Sequence, residues 1–296
     1  MPRPKFNLLQ WTIKLAGQLP LPLLHFIGGI IGWISYFFSP KVSVLTKKNL
    51  WLSGLFTNQI TYRQTLNKNI TETGKGILET FAIWQRSERT LMSWVRSYEG
   101  WPEVVEAINA GKGIIFLTPH LGCFEITSLF YSFKSQQPIT VLYRPPRQQW
   151  LLPFIIQGRA RGQVQLAPTT SQGIRDILRA LKHGEAVGIL PDQIPGSGDG
   201  EWAPFFGRPA YTMTFASRLA EKTGAAVFMV FGKRLPWGRG FHVSFTRLTD
   251  GCINTPEGLN REIETQVKQC PEQYLWNYHR FKVRRGTEPN LSGNGA

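Results

Sequence analysis

The chain has 296 residues, with 34 Lys+Arg against 19 Asp+Glu, a formal charge of +15, 42 % apolar and 18 % charged residues. That balance excludes a mainly disordered chain and leaves material for one large domain or two modest ones. Three scattered cysteines, Cys123, Cys252 and Cys270, with no CxxC pair, exclude a disulfide framework and argue against a structural zinc site. Ten Trp and 19 Phe point towards contact with lipid or another apolar ligand. A basic chain meets nucleic acid, an anionic membrane or an acidic partner, or uses its charge for solubility alone. No Lys/Arg run of five and no zinc-finger or RNP-type motif favours nucleic acid.

No charged residue occurs from Leu15 to Pro40. Pro22 is suited to a first helical turn, so a helix from there to Phe38 would be about 25 Å long, at the lower limit for spanning a bilayer. Trp33 and Tyr36 suit an interface, and no A-x-A-like cleavage site follows. This segment is expected to be a membrane anchor or interfacial helix. The alternative is a core helix with Gly28, Gly29 and Gly32 at a close helix contact. Lys14 on one flank and Lys41, Lys47 and Lys48 on the other do not choose an orientation.

Residues 60–95 carry a helical pattern, with Ile70, Ile77, Phe81 and Trp84 among the inward positions. A short helix over 102–110, a buried strand over 113–118 and a helix over 124–133 follow. Strands are expected at 139–143 and 164–166, with a helix over 147–161 between them and an amphipathic helix over 171–183 after them. Residues 186–190 read as a buried strand and 191–209 as a Gly/Pro-rich loop. A helix over 211–222, strands at 226–231 and 241–246, the second an edge strand, and helices over 257–269 and 272–281 complete the chain. The alternation implies an α/β fold with a mainly parallel sheet covered by helices. The polar tail after Arg285 is expected to fray.

Ligands of open α/β sheets gather beyond the carboxyl ends of strands. Three such ends carry polar residues: Pro119-His120, Tyr143-Arg144 and Pro191-Asp192. In TPHLGCFE, Gly122 allows a sharp turn that would bring Glu125 back to His120 as a base and its orienting carboxylate. The other reading of His120 is a structural histidine bonded to a loop carbonyl. Cys123 reads as a packed residue of the turn rather than a nucleophile, and no G-x-S-x-G, Walker or Rossmann motif occurs. Arg144, Arg147, Arg159 and Arg161 surround an apolar run and suit phosphate or carboxylate, or else a solvated helix face. Asp192 either serves the site or caps loop amides.

The chain resembles the lauroyl/myristoyl acyltransferases of lipid A biosynthesis, within the lysophospholipid acyltransferase superfamily. The matching pieces are His120-x4-Glu125, YRP from Tyr143, G-R-x-R from Gly158 to Arg161, PDQ from Pro191, PFFG from Pro204, PEQYLW from Pro271 and RFK from Arg280. The resemblance implies a glycerolipid-acyltransferase-like fold with an N-terminal membrane-associated helix (1–40), an acyltransferase domain (41–285) and a flexible tail (286–296). It implies transfer of a fatty acyl group from an acyl carrier protein thioester to a hydroxyl of a lipid A precursor, at the inner membrane with the site facing the cytoplasm. By that likeness His120 is the general base and Glu125 its partner. Arg159 and Asp192 are substrate-binding positions, joined by Arg144 and Arg161. No metal, no further cofactor and no nucleic acid are implied. The alternatives are an acyltransferase for a lysophospholipid or other glycolipid, and a membrane lipid-binding protein without catalysis.

Overall fold

The computed structural model describes residues 17–146, 148–283 and 285–288; Arg147, most of the expected tail and the first part of the expected anchor lie outside the described residues. The helices are α1 Leu21–Phe38, α2 Pro40–Trp51, α3 Gln59–Gln85, α4 Glu88–Trp94, α5 Trp101–Ala110, α6 Phe124–Ser135, α7 Leu152–Arg159, α8 Ser171–Lys182, α9 Phe215–Thr223 and α10 Pro256–Gln269. The strands are β1 Val95–Glu99, β2 Ile114–Leu117, β3 Ile139–Tyr143, β4 Val164–Pro168, β5 Ala186–Ile189, β6 Gly200–Phe205, β7 Arg208–Met213, β8 Ala226–Arg234 and β9 Phe241–Arg247.

Seven strands form one sheet in the order β1-β9-β8-β2-β5-β3-β4. Only the β8–β9 pairing is antiparallel. The central strands β2 and β5 are buried along their whole length, which explains their unbroken apolar sequence. Apolar clusters cover both faces of the sheet. The expected α/β architecture is therefore present.

Several local expectations are corrected. The helical stretch over 60–95 breaks at Ser87, whose side chain caps α4, and Val95–Glu99 instead adds an edge strand. That strand pairs with β9, so β9 is interior rather than an edge. The expected loop over 191–209 contains the hairpin of β6 and β7. Its two-residue turn places Phe206 at φ 47° and Gly207 at φ 68°, the primed-turn geometry that matches strand twist. A phenylalanine rarely adopts that conformation, so the turn carried no Asn-Gly or Asp-Gly signal. In consequence α9 starts only at Phe215.

Residues 272–281 are not helical beyond a short turn at Pro271–Gln273. Their backbone is held by side chains instead. Asn69 donates to the carbonyls of Glu272 and Tyr274, and Asn49 donates to those of Trp276 and Tyr278. Buried Arg280 stacks on Phe205 and donates to Tyr211 O and Thr212 Oγ1.

Helix α1 lies along α3. A Cβ on Gly74 would sit 2.0 Å from Gly28 O, and one on Gly32 would sit 2.1 Å from Ile70 O, so the two backbones touch. The opposite face leaves Phe26, Ile30, Ile34, Phe37 and Phe38 exposed. With 18 residues of mean hydropathy 1.6, α1 is long and apolar enough to cross a membrane by length and composition, yet one third of it is buried against the protein. One face thus forms the close glycine contact of the core-helix reading, and the other presents the apolar surface that the membrane reading calls for.

Gly74→Ala tests the seam. Helix propensity alone favours Ala by about 1 kcal/mol. Overpacking should cost more than that, about 1–3 kcal/mol. The thermal midpoint should fall and residues 21–38 should become more susceptible to protease; an unchanged or higher midpoint would mean that the seam tolerates the methyl group.

Candidate active site

The sheet register builds the site. Leu117 of β2 pairs with Ile189 of the parallel neighbour β5, and His120 and Asp192 each lie three residues further on (117 + 3 and 189 + 3). Both side chains therefore emerge together at the carboxyl edge. The His120 backbone N–H donates to Asp192 Oδ2 (2.9 Å), and its Nδ1 meets Asp192 Oδ1 (2.8 Å). One carboxylate thus fixes both the ring and the backbone that carries it. With the proton on Nδ1, Nε2 holds the free lone pair, and the Gln193 amide nitrogen lies 3.1 Å from it. Phe124 flanks the ring at 4.8 Å between centroids.

Asp192 is 2 % exposed. Burial alone would raise its pKa, but the adjacent imidazole and its two hydrogen bonds outweigh that and hold it below the usual value. Tyr274 faces the same carboxylate; burial and that negative neighbour push its phenol well up, so it stays protonated. Tyr278 accepts the Ile194 N–H through its hydroxyl and so anchors the loop after Asp192.

The carboxylate bonded to the ring is that of Asp192; Glu125, the expected partner, is bonded to Arg159 and Trp84 instead. Glu125 sits in the first turn of α6, buried, and takes a forked contact from Arg159. Its Oε2 also accepts from Trp84 Nε1 (3.0 Å), with the Arg159 guanidinium 5.7 Å from the Trp84 ring centre. The helix turn after Gly122 carries Glu125 onto α3 and α7, not back to the strand end. Burial would lower the Arg159 pKa, but the Glu125 carboxylate beside it raises it, so Arg159 stays charged.

The remaining expected residues separate. Arg161 donates to the carbonyls of Gly158, Ile83 and Arg86, joining the ends of α3 and α7, and burial lowers its pKa. Its guanidinium is spent on backbone carbonyls away from His120. Arg144 is exposed at the end of β3 and lines a different cavity of about 770 Å³ with Thr169, Thr170, Asp199 and Arg218. Cys123 is 2 % exposed, and burial raises its thiol well above the ordinary range, so it is no thiolate nucleophile.

A cleft of about 380 Å³ leads to His120 between α3, α7 and the segment after Pro271. Trp84, Phe81, Ile77, Leu151 and Ile155 make its walls apolar, and Glu125 lines it as well. A narrower apolar slot beside Glu125 and Phe124 runs under α6 to Phe116, Val141 and Gly188. Glu72, Glu79 and Arg234 line the other side of the cleft. Arg234 donates to Glu79 Oε1 (2.7 Å), and Glu79 Oε2 meets His25 Nε2 on α1 (3.1 Å). Burial would raise the Glu79 pKa, but Arg234 and His25 hold it at about 2. Removing one partner of such a buried pair costs about 3–5 kcal/mol. Sequence reading missed Trp84, Gln193 and Arg234 as parts of this site. Gln193 follows Asp192 directly, whereas nothing local marks the other two. Among the described residues no three His, Cys, Asp or Glu side chains converge as metal ligands.

The Asp192 environment has a pH consequence. Its folded pKa lies below its unfolded one, so its stabilisation is present above about pH 4 and fades as pH falls through that range. Asp192→Asn should cost about 2 kcal/mol at pH 7. Denaturant titrations should show that gap closing towards pH 3; a gap independent of pH would remove the charge-based account.

The family model for bacterial lipid A biosynthesis acyltransferases matches residues 6–283. The chain is 29 % identical over 280 residues to the lipid A biosynthesis palmitoleoyltransferase of Escherichia coli, covering 93 % of this chain and 90 % of that protein. It is 26 % identical over 282 residues to the lauroyltransferase of the same organism, covering 92 % and 90 %. A lipid A biosynthesis acyltransferase of Haemophilus influenzae is 27 % identical over 281 residues, covering 90 % and 86 %. With a polarised strand-end histidine inside an apolar cleft and a match over nearly its whole length, this chain belongs to the bacterial lipid A biosynthesis acyltransferase family.

Proposed function

We propose that this protein transfers a fatty acyl group from an acyl carrier protein thioester to a hydroxyl of a lipid A precursor at the inner membrane, with its site towards the cytoplasm. The observation that carries the reading is the two-point contact of His120 with Asp192 at an apolar cleft that His120 lines. In the reaction the acceptor hydroxyl takes the place of the Gln193 amide beside Nε2. The ring accepts the hydroxyl proton as the oxygen attacks the thioester carbonyl. The C–S bond then breaks, the new ester forms, and the imidazolium returns its proton to the departing sulfur. Asp192 holds the tautomer and stabilises the transient imidazolium.

Glu125 and Arg159 serve as a fixed ion pair beside the base, with the Arg159 guanidinium available to the thioester or an acceptor phosphate. The apolar slot under α6 suits the acyl chain. The exposed face of α1 suits a lipid surface, and Arg144 an anionic group of either substrate. The +15 charge favours an acidic carrier protein and a phosphorylated acceptor.

The test is mass spectrometry of products from the detergent-solubilised protein. It would receive acyl carrier proteins of several chain lengths together with a lipid A precursor, lysophospholipids and a glycolipid. The wild type should acylate the lipid A precursor, and His120→Ala should lose at least ~100-fold in rate. Acylation of a different lipid would move the acceptor assignment, and wild-type turnover by His120→Ala would remove the general base. Glu125→Gln should also lower kcat, with circular dichroism unchanged; normal kcat would take the ion pair out of the mechanism.

A further inference from the structure

We infer that Arg234 is a positioning residue for the His120 turn and that Glu79 connects it to His25 on the apolar helix α1. The inference rests on the reading of His120 as the base and goes beyond it, since none of these three residues contacts His120.

The turn from His120 to Cys123 needs its backbone held, because His120 is oriented only as well as that backbone is. Gly122 sits at φ 59°, and a Cβ there would meet Gly232 O at 2.3 Å, so β8 presses directly on the turn. Leu275 N donates to His120 O (3.1 Å), Gly122 N donates to Gln273 O (3.0 Å), and Cys123 N donates to Gly232 O (2.7 Å). The Gly122 carbonyl is the point met by a charged side chain: Arg234 Nη2 donates to it at 2.7 Å.

Arg234 is itself held. The Gln273 side chain bonds both its N–H (2.9 Å) and its carbonyl (3.0 Å). Its Nε donates to Glu79 Oε1 (2.7 Å), and Nη1 lies 3.4 Å from Glu72 Oε2. A planar fork reaches Glu79 and Gly122 O at once, which a lysine ammonium on a single stem does not reproduce. The far oxygen of Glu79 meets His25 Nε2, and His25, 3 % exposed, has no partner for Nδ1 among the described residues. A fully buried histidine and a fully buried ion pair are costly where an apolar contact would serve. Their placement between a lipid-facing helix and the catalytic turn accounts for them as a link. Helix α1 cannot slide without disturbing it, because Gly28, Gly32 and Gly74 fix its height on α3.

The experiment uses the full-length protein in detergent with an acyl carrier protein thioester and a lipid A precursor. Arg234→Lys, His25→Phe and the double variant are compared with wild type and His120→Ala. Arg234→Lys should lower kcat about 10- to 100-fold with both KM values nearly unchanged, as expected for a displaced base. His25→Phe should lower kcat less, and should add little in the Arg234→Lys background because both act through one chain of contacts. The NMR signal of the His120 ring, assigned by its loss in His120→Ala, should shift in Arg234→Lys and His25→Phe. That readout needs no turnover, so it tests the link even if the acyl-transfer reading fails. An unmoved His120 signal with wild-type kcat overturns the inference and leaves that reading intact. Additive losses with raised KM also overturn it. If Arg234→Lys does not fold, the His25→Phe signal and kcat decide in the same way.

Discussion

The site depends on one carboxylate doing two things. Asp192 bonds the His120 ring and the His120 backbone at once, so the side chain and the chain that bears it are held by the same group. That arrangement requires β2 and β5 to be adjacent, parallel and in their observed register. A shift of one residue would turn alternate side chains to the other face and separate the two groups. The apolar core on both sides of the sheet is what fixes the register, so packing far from the site sets the geometry of His120.

Around this contact the protein arranges its charges in layers. The Glu125–Arg159 pair joins α6 to α7 beside the cleft, and the Glu79–Arg234 pair joins α3 to β8 on its other side. Both are largely withdrawn from water, where a lone charge would be prohibitive and a paired one is tolerated. The carboxylates that line the cleft are held by two or three donors each, and the half-buried His120 ring stands among them with Nε2 beside Gln193. Helix α1 belongs to the same scheme: its glycine seam ties it to α3, while its other face carries exposed aromatic and aliphatic side chains. The helix with the exposed apolar face and the cleft at His120 thus share α3 as a common wall.

Irregular segments carry much of the positioning. The stretch after Pro271 runs as an irregular, turn-rich strap across the carboxyl edge, supported by Asn49, Asn69 and Arg280 in place of a helical ladder. Side-chain amides satisfy a carbonyl as well as a backbone amide does, and they leave the strap free to present Tyr274 to Asp192 and Gln273 to Arg234.

The sequence by itself determined the α/β class, most of the central strands and helices, and the strand ends at which His120 and Asp192 stand. Those features follow from local periodicity and from turn residues, which act over a few positions. It also brought out His120, Glu125, Arg159 and Asp192 as a set through their motifs. Only the tertiary structure decided how that set is paired. The partner of His120 lies 72 residues away, just past the end of a neighbouring strand, and that of Glu125 lies 34 residues away on another helix. Spacing along the chain carries no record of a register between strands. The same limit hid the hairpin turned by Phe206, the edge strand β1 and the strap after Pro271, each stabilised by partners distant in sequence. It also hid Arg234, whose three contacts come from α3 and the His120 turn, and whose place in the site exists only once the sheet is assembled.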